Sequence, residues 1–250
     1  MSKNITFDVI IIGGGLAGLT ASIHLSTFKK RVLLIEKNEY PKHKVCGEYI
    51  SNEVLPYLKS LGIDPIKDGA KQISKVKITT VKSNLISGKL PLGGFGMSRY
   101  FLDNLLANKA ISKGVKILQK SVESVEFSND VFLVKTNSSI TFKSKIAVGS
   151  FGKRSTLDVK MNREFIKKKS PYLAVKTYVQ GVFPEDVVAL HNFKGGYCGV
   201  SKVENDAINL CYITNYKSFK KHKNIREFQE QIIFQNKYLK EVFSSSKELF

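Results

Sequence analysis

The pattern that decides the fold is Phe7-Asp8-Val9-Ile10-Ile11-Ile12-Gly13-Gly14-Gly15-Leu16-Ala17-Gly18. A short apolar run ends in glycines, and a helix is predicted over residues 16–26. A second apolar run, Arg31-Val32-Leu33-Leu34-Ile35, closes at Glu36. Strand, tight turn, helix and strand make the first βαβ unit of a dinucleotide-binding fold. Gly13 permits the sharp turn off the strand. Gly15 lacks a Cβ, so a pyrophosphate can approach the backbone there, and Gly18 lets the helix pack close to the sheet. Gly14, Leu16 and Ala17 complete the turn and the helix start, where N–H groups and the positive dipole end favour phosphate. Glu36 is placed to accept both hydroxyls of an adenosine ribose and to repel a 2′-phosphate. The site therefore suits FAD or NAD over NADP.

Working outward, the chain of 250 residues is long enough for one large domain or two smaller ones. No apolar run approaches the roughly 20 residues of a membrane span, and no secretory leader is expected. Cys46, Cys198 and Cys211 lie far apart and match no metal spacing. A reduced, cytoplasmic setting is expected, with membrane association as a further expectation. The formal net charge is +19, with local runs at Lys167-Lys168-Lys169 and within residues 217–223. No nucleic-acid motif accompanies it, so no nucleic-acid partner is expected. A solvated lysine-rich surface accounts for the charge, and an anionic cofactor or anionic membrane surface is the other account.

After Glu36 and Lys37 comes a polar, basic loop. Ser51 is placed to cap a helix running to about residue 61. Strands are predicted at residues 75–81 and 85–90, and Gly93-Gly94-Phe95-Gly96 reads as a flexible joint. A helix opens at Arg99 and ends at Gly114. Strands follow at residues 115–118, 121–127, 131–135, 140–142 and 145–149, with turns at Ser128-Asn129-Asp130 and Asn137-Ser138-Ser139. Residues 172–180, 187–191, 197–203 and 207–213 read as longer strands of a second, antiparallel sheet. Residues 225–250 read as helix, with Ile225, Phe228, Ile232, Leu239 and Val242 toward a core.

Four stretches together resemble the FAD-dependent oxidoreductases of the aromatic-hydroxylase-like superfamily, and within them the geranylgeranyl reductase group. The glycine motif is the first. Tyr40-Pro41-Lys42-His43-Lys44-Val45-Cys46-Gly47-Glu48 is similar to that group's P-R-x-K-x-C-G loop beside the flavin. Met97-Ser98-Arg99-Tyr100-Phe101-Leu102-Asp103-Asn104-Leu105-Leu106 is similar to its R-x-x-F/L-D-x-x-L segment, whose arginine meets the cofactor. Gly149-Ser150-Phe151-Gly152-Lys153-Arg154-Ser155 looks like G-A-D-G-x-x-S. Lys42 stands where the group has arginine, which keeps the charge and loses the bidentate fork. Phe151 stands where the D-G motif has its aspartate.

The resemblance implies an α/β fold, with a Rossmann-like FAD-binding domain interleaved with a mainly antiparallel β substrate domain. The expected bounds are residues 1–72 and 97–158 for the first, and 73–96 and 159–250 for the second. It implies that Gly13, Gly14, Gly15, Leu16, Ala17, Gly18, Glu36, Lys37, Arg99 and the backbone at Val122 hold the ADP half. The loop with Lys44, Cys46 and Gly47 then faces the ring. Cys46 is the one catalytic candidate, as a residue shaping the pocket over the flavin, and a small buried hydrophobe is its plain alternative. Cys198 is expected to line a substrate cavity and Cys211 to sit in the core. His24, His191 and His222 receive no role. The cofactor implied is FAD, with NAD(P)H as a candidate electron donor. The activity implied is reduction of isoprenoid-type carbon–carbon double bonds on a lipidic small molecule, with peripheral membrane contact. A flavin monooxygenase is the alternative. A halogenase fits less well, because that family uses a tryptophan-bearing motif and this chain has no tryptophan. Family members also carry a later G-D-x-A segment that this sequence lacks. The chain is thus expected to be truncated and to bind FAD poorly by itself, an inactive flavoprotein fragment being the third reading.

Overall fold

A computed structural model describes residues 6–153 and 155–249. Arg154 of the fourth stretch and Phe250 at the end of the predicted helix lie outside the described residues. The elements run β1 (Thr6–Ile12), α1 (Leu16–Thr27), β2 (Val32–Glu36), β3 (Tyr49–Ser51), α2 (Leu55–Ser60), β4 (Lys71–Thr79), β5 (Leu85–Gly96) and α3 (Arg99–Ser112). Then come β6 (Lys116–Gln119), β7 (Val122–Ser128), β8 (Val131–Thr136), β9 (Thr141–Gly149), α4 (Thr156–Lys160), β10 (Tyr172–Gln180), β11 (Val187–Phe193) and β12 (Gly196–Lys202). The chain finishes with β13 (Ile208–Asn215), α5 (Tyr216–Phe219), α6 (Ile225–Gln231), α7 (Lys237–Ser245) and β14 (Lys247–Glu248). It divides into two compact units, residues 1–42, 60–63 and 100–169, and residues 43–59, 64–99 and 170–250.

The first unit is built on a six-stranded sheet of order β6-β2-β1-β9-β8-β7. β1 pairs in parallel with both β2 and β9, and β6 extends the parallel part beyond β2. A central parallel strand is buried on both faces, which is why β1 reads as a continuous apolar run; Ile10 and Ile11 are fully buried. α1 turns Leu19 and Ile23 inward. The return into β2 is fixed by Asp8, whose carboxylate accepts from the Arg31 backbone N–H at 2.7 Å and pairs with its guanidinium at 3.1 Å. β7, β8 and β9 are antiparallel, and the β7–β8 turn places Asn129 and Asp130 both at positive φ, as a tight hairpin requires. Residues 141–149 form one strand where two, 140–142 and 145–149, were expected. β9 serves two neighbours at once, pairing with β8 through residues 141–144 and with β1 through residues 143–149.

The second unit carries an eight-stranded sheet of order β14-β10-β13-β12-β11-β4-β5-β3, antiparallel except between β11 and β4. The expected antiparallel second sheet is present. Ser51 caps the entry to α2 through the Glu53 N–H. One expectation fails at Gly93-Gly94-Phe95-Gly96, which is the buried end of β5 rather than a joint. A Cβ at Gly96 would lie 1.9 Å from the Lys202 carbonyl oxygen, so glycine here permits close backbone approach. The predicted helix over residues 225–250 is also broken. α6 stops at Gln231, a single 3₁₀ turn spans Ile233–Gln235, and α7 starts afresh behind Asn236. Asn236 is the reason. Its Oδ1 accepts from the Tyr238 and Leu239 N–H groups, while its Nδ2 donates to Thr79 Oγ1 at 2.7 Å and to the Asn192 carbonyl at 3.0 Å. Phe228 and Leu239 still reach the core beside Phe193, Cys198 and Tyr212, with Ile232 and Val242 packed against it, whereas Ile225 is exposed.

Candidate functional site: a glycine-lined cleft and a buried ion pair

In the first unit the three motif glycines have three different surroundings. Gly13 sits at φ +104°, and a Cβ there would lie 2.5 Å from the Phe151 Cα. A Cβ at Gly18 would lie 2.0 Å from the Gly13 carbonyl oxygen. A Cβ at Gly15 would meet nothing within 4 Å. So Gly13 and Gly18 are required by the fold, while Gly15 faces open space at the N-terminus of α1. No side chain caps that terminus, and no acidic residue stands in its first turn. An uncapped helix start with a vacant Cβ position is a cradle of the kind a pyrophosphate needs.

Beside it lies a cleft of about 130 Å³ whose lining includes Gly13, Glu36, Lys37, Val122, Lys120 and Lys153. The structure thus brings four of the expected ligand residues together, with residues 14–18 forming the turn and helix start next to them. Lys120 and Lys153 were not singled out from sequence. The signal was there: each lies one or two positions beyond a recognised strand or motif glycine. Glu36 is more committed than the sequence reading allowed. Its carboxylate accepts from Gly14 N–H at 2.7 Å, Asn38 N–H at 3.0 Å and Asn38 Nδ2 at 2.6 Å. A carboxylate offers about four acceptor positions, so capacity remains for a ribose hydroxyl. Tyr40, quoted only as part of a motif, donates to the Gly14 carbonyl at 2.6 Å and fixes the turn from behind. Burial, and then the nearby Glu36 and Asp103 carboxylates, push its hydroxyl pKa up and keep it a donor.

The other expected residues, Lys44, Cys46, Gly47 and Arg99, belong to the second unit. There the loop at residues 43–48 ends at Glu48, which is 1% exposed and held at φ +56°. Its carboxylate pairs with Lys176 Nζ at 2.5 Å, accepts from the Tyr178 hydroxyl at 2.7 and 2.9 Å, and accepts from the Arg99 N–H at 2.7 Å. Burial raises the Glu48 pKa, and Lys176 and the Arg99 N–H oppose that rise. The Tyr178 hydroxyl is pushed up by burial and by Glu48, and Lys176 Nζ lies 4.1 Å from its ring centroid. His43 packs against that ring, centroids 5.6 Å apart. Sequence reasoning missed this cluster because Lys176 and Tyr178 lie some 130 residues from the loop they hold.

Cys198 lies in the core rather than at a cavity, and Cys211 lies on the opposite face of the sheet. Strand alternation puts Cys198 into the hydrophobic core, fully buried, with its thiol pKa pushed up by burial. Cys211 pairs in register with Lys176 and is only half-buried, its pKa pushed to about 11 by burial and then by Cys46. All three thiols are free. Among the described residues no group of acidic, His or Cys side chains could hold a metal, and no helix is long and apolar enough to cross a membrane.

A parallel βαβ unit, a glycine turn at an uncapped helix start and a glutamate at the end of β2 define the dinucleotide-binding class of fold. Comparison with known proteins agrees. Residues 7–178 match the family of pyridine nucleotide-disulphide oxidoreductases. The chain belongs to that oxidoreductase family, and FAD is the cofactor its fold and family assign to it. A curated relative, digeranylgeranylglycerophospholipid reductase of Methanococcus vannielii, is 28% identical over 160 residues, 61% of this chain and 40% of its own. The chain therefore spans about two-fifths of that relative's length. Among solved structures, a geranylgeranyl bacteriochlorophyll reductase-like protein from Thermoplasma acidophilum superposes with TM-score 0.78 at 17% identity, covering 98% of this chain and 65% of its own. The halogenase PltM, in complex with phloroglucinol and FAD, gives 0.80 at 16% identity, covering 98% and 59%. At such identities these likenesses show a shared fold. The halogenase fold is as near as the reductase fold.

Proposed function

We propose that this chain is the FAD-binding and partial substrate portion of a reductase acting on isoprenoid-type carbon–carbon double bonds of a lipidic molecule. The observation that carries the cofactor half is Gly15, whose vacant Cβ position lies at an uncapped helix start. Around it, the α1 N–H groups and Lys37, Lys120 and Lys153 would neutralise the pyrophosphate, and Glu36 would take the ribose. Gly13, Gly18 and Tyr40 hold that geometry. FAD supplies two-electron redox chemistry that no side chain offers. NAD(P)H is the electron donor in this proposal, and anaerobic titration with NADH and NADPH tests it.

The substrate half is supported by the reductase relative. Peripheral membrane contact is supported by residues 159–169, where exposed Val159, Met161 and Phe165 alternate with Lys160, Arg163, Lys167, Lys168 and Lys169. The halogenase likeness favours one rival, an oxidative flavin reaction. Both are tested by incubating the chain with chemically reduced FAD and a geranylgeranyl lipid, with and without oxygen. The reductase reading expects anaerobic gain of H₂ per double bond by mass spectrometry. Products that gain oxygen or halide, formed only in air, would replace it with the oxidative reading.

A further inference from the structure

We propose that Cys46 and Cys211 form a reversible thiol–disulfide pair, which locks the loop at residues 43–48 onto β13 when it is oxidised. Both residues belong to the second unit, and the step needs no bound cofactor. Register sets Lys176 opposite Cys211 and Tyr178 opposite Asn209, so these four side chains share one face of the sheet. The loop is tied to that face around Cys46. Lys176 Nζ donates to the Lys44 carbonyl at 3.2 Å. Asn209 Nδ2 donates to the Gly47 carbonyl at 2.9 Å and to the Cys46 carbonyl at 3.3 Å. Lys176 is the cross-strand neighbour of Cys211, and Asn209 lies two residues before it on the same face, about 6.6 Å along the strand. The side chains that anchor the loop are therefore immediate neighbours of Cys211. On β12 the residue opposite Cys211 is Gly199, so no side chain fills that flank.

A disulfide requires Cα atoms about 4.4–6.8 Å apart, the separation of neighbouring positions on such a face. Cys46 and Cys211 are both half-buried, whereas Cys198, on the opposite face, is fully buried and closed to reagents. Burial and then the nearby Cys46 push the Cys211 thiol up, and Lys176 opposes the rise. The two sulfurs thus lie near enough for each to feel the other's charge, and Cys46 is the thiol that reacts first. The oxidant is a low-molecular-weight disulfide of the glutathione kind. Cys46 gives up its proton and attacks one of the two sulfurs, so a mixed disulfide forms and one glutathione thiolate leaves. Cys211, deprotonated beside Lys176 Nζ, then attacks the Cys46 sulfur. The Cys46–Cys211 bond forms and the second glutathione thiolate leaves. The protein gives up two electrons and two protons, and one glutathione disulfide becomes two thiols. Excess glutathione reverses both steps, so in a reducing compartment the bond is a switch and not a staple.

The test incubates the reduced 250-residue chain in buffers of stepped oxidised-to-reduced glutathione ratio. N-ethylmaleimide stops the exchange, and non-reducing peptide mass spectrometry locates the products. A peptide joining Cys46 to Cys211 is expected, growing with the oxidised share and lost on addition of dithiothreitol, with Cys198 left as a free thiol. Cys211→Ser is expected to halt at Cys46 joined to glutathione, and Cys46→Ser to leave Cys211 unmodified. Asn209→Leu removes the two bonds to the loop at similar volume and is expected to slow closure of the mixed disulfide about tenfold. Circular dichroism checks that each variant folds. A wild-type chain that stays unmodified, stops at the mixed disulfide, or links Cys46 between two chains overturns the pairing. A link to Cys198 overturns it as well, because that thiol reacts only when the sheet opens. Closure of Asn209→Leu at the wild-type rate overturns the placement of Cys46 by the sheet.

Discussion

Replacing Gly15 by alanine separates folding from binding in a single methyl group. Gly15 sits at φ −80° and ψ −173°, a conformation alanine adopts without strain. The new Cβ meets no atom of the protein within 4 Å. The fold should lose nothing and gain about 0.4–1 kcal/mol through the reduced entropy of the unfolded chain. FAD binding should behave in the opposite way. The methyl occupies the space through which a pyrophosphate reaches the α1 N–H groups, and displacing the phosphate from one charge-assisted bond costs about 1.5–3 kcal/mol, or roughly 10- to 100-fold in Kd. Gly18→Ala is the contrast, because its Cβ collides with the Gly13 carbonyl at 2.0 Å and should destabilise the fold by about 1–3 kcal/mol. Thermal denaturation and calorimetric titration of FAD, run on both variants, read the two quantities separately. A Gly15→Ala chain that keeps wild-type stability and wild-type FAD affinity would refute the placement of the pyrophosphate at this helix start.

Tyr40→Phe removes the donor to the Gly14 carbonyl and should cost about 1 kcal/mol, a loss of a few degrees in Tm. Arg99→Ala should weaken FAD binding by about 1–3 kcal/mol, and Arg99→Lys should recover part of that; equal affinity across a salt series would remove Arg99 from the site. Acid should destabilise the second unit through His191. Asn236 donates to Thr79 Oγ1, which leaves the Thr79 hydroxyl proton for His191 Nδ1 at 3.0 Å and keeps the imidazole neutral. Burial, then Lys77, lowers its pKa to about 4, and Tyr238 stacks on its ring. The unfolded chain then binds the extra proton first, so the stabilisation is complete above about pH 6.5 and is lost as pH falls toward about 4, roughly 3 kcal/mol in all. Denaturant titrations across that window should show the slope, and His191→Gln should flatten it.

The βαβ start, the second antiparallel sheet and the cleft residues Gly13, Glu36, Lys37 and Val122 were legible because each depends on local pattern or on a motif of fixed spacing. What escaped the sequence depends on distant partners. Asn236 breaks the last helix only because Thr79 and Asn192 are there to receive its amide. Gly94 and Gly96 read as a joint because their crowding comes from Tyr49 and Lys202. Cys198 lies in the core because strand register sets it opposite Tyr212, on the face that meets Phe193 and Phe228, and the local pattern of β12 does not specify that face. The Glu48–Lys176–Tyr178 cluster joins residues some 130 positions apart, and nothing in either segment announces the other.

The central claim is that the glycine turn and Glu36 of the first unit hold the ADP half of FAD. Its most direct test is calorimetric titration of FAD into the 250-residue chain, followed by competition with ADP. The account predicts weak but saturable one-to-one binding that ADP displaces and that Gly15→Ala weakens further. FAD binding indifferent to both ADP and the added methyl would contradict it.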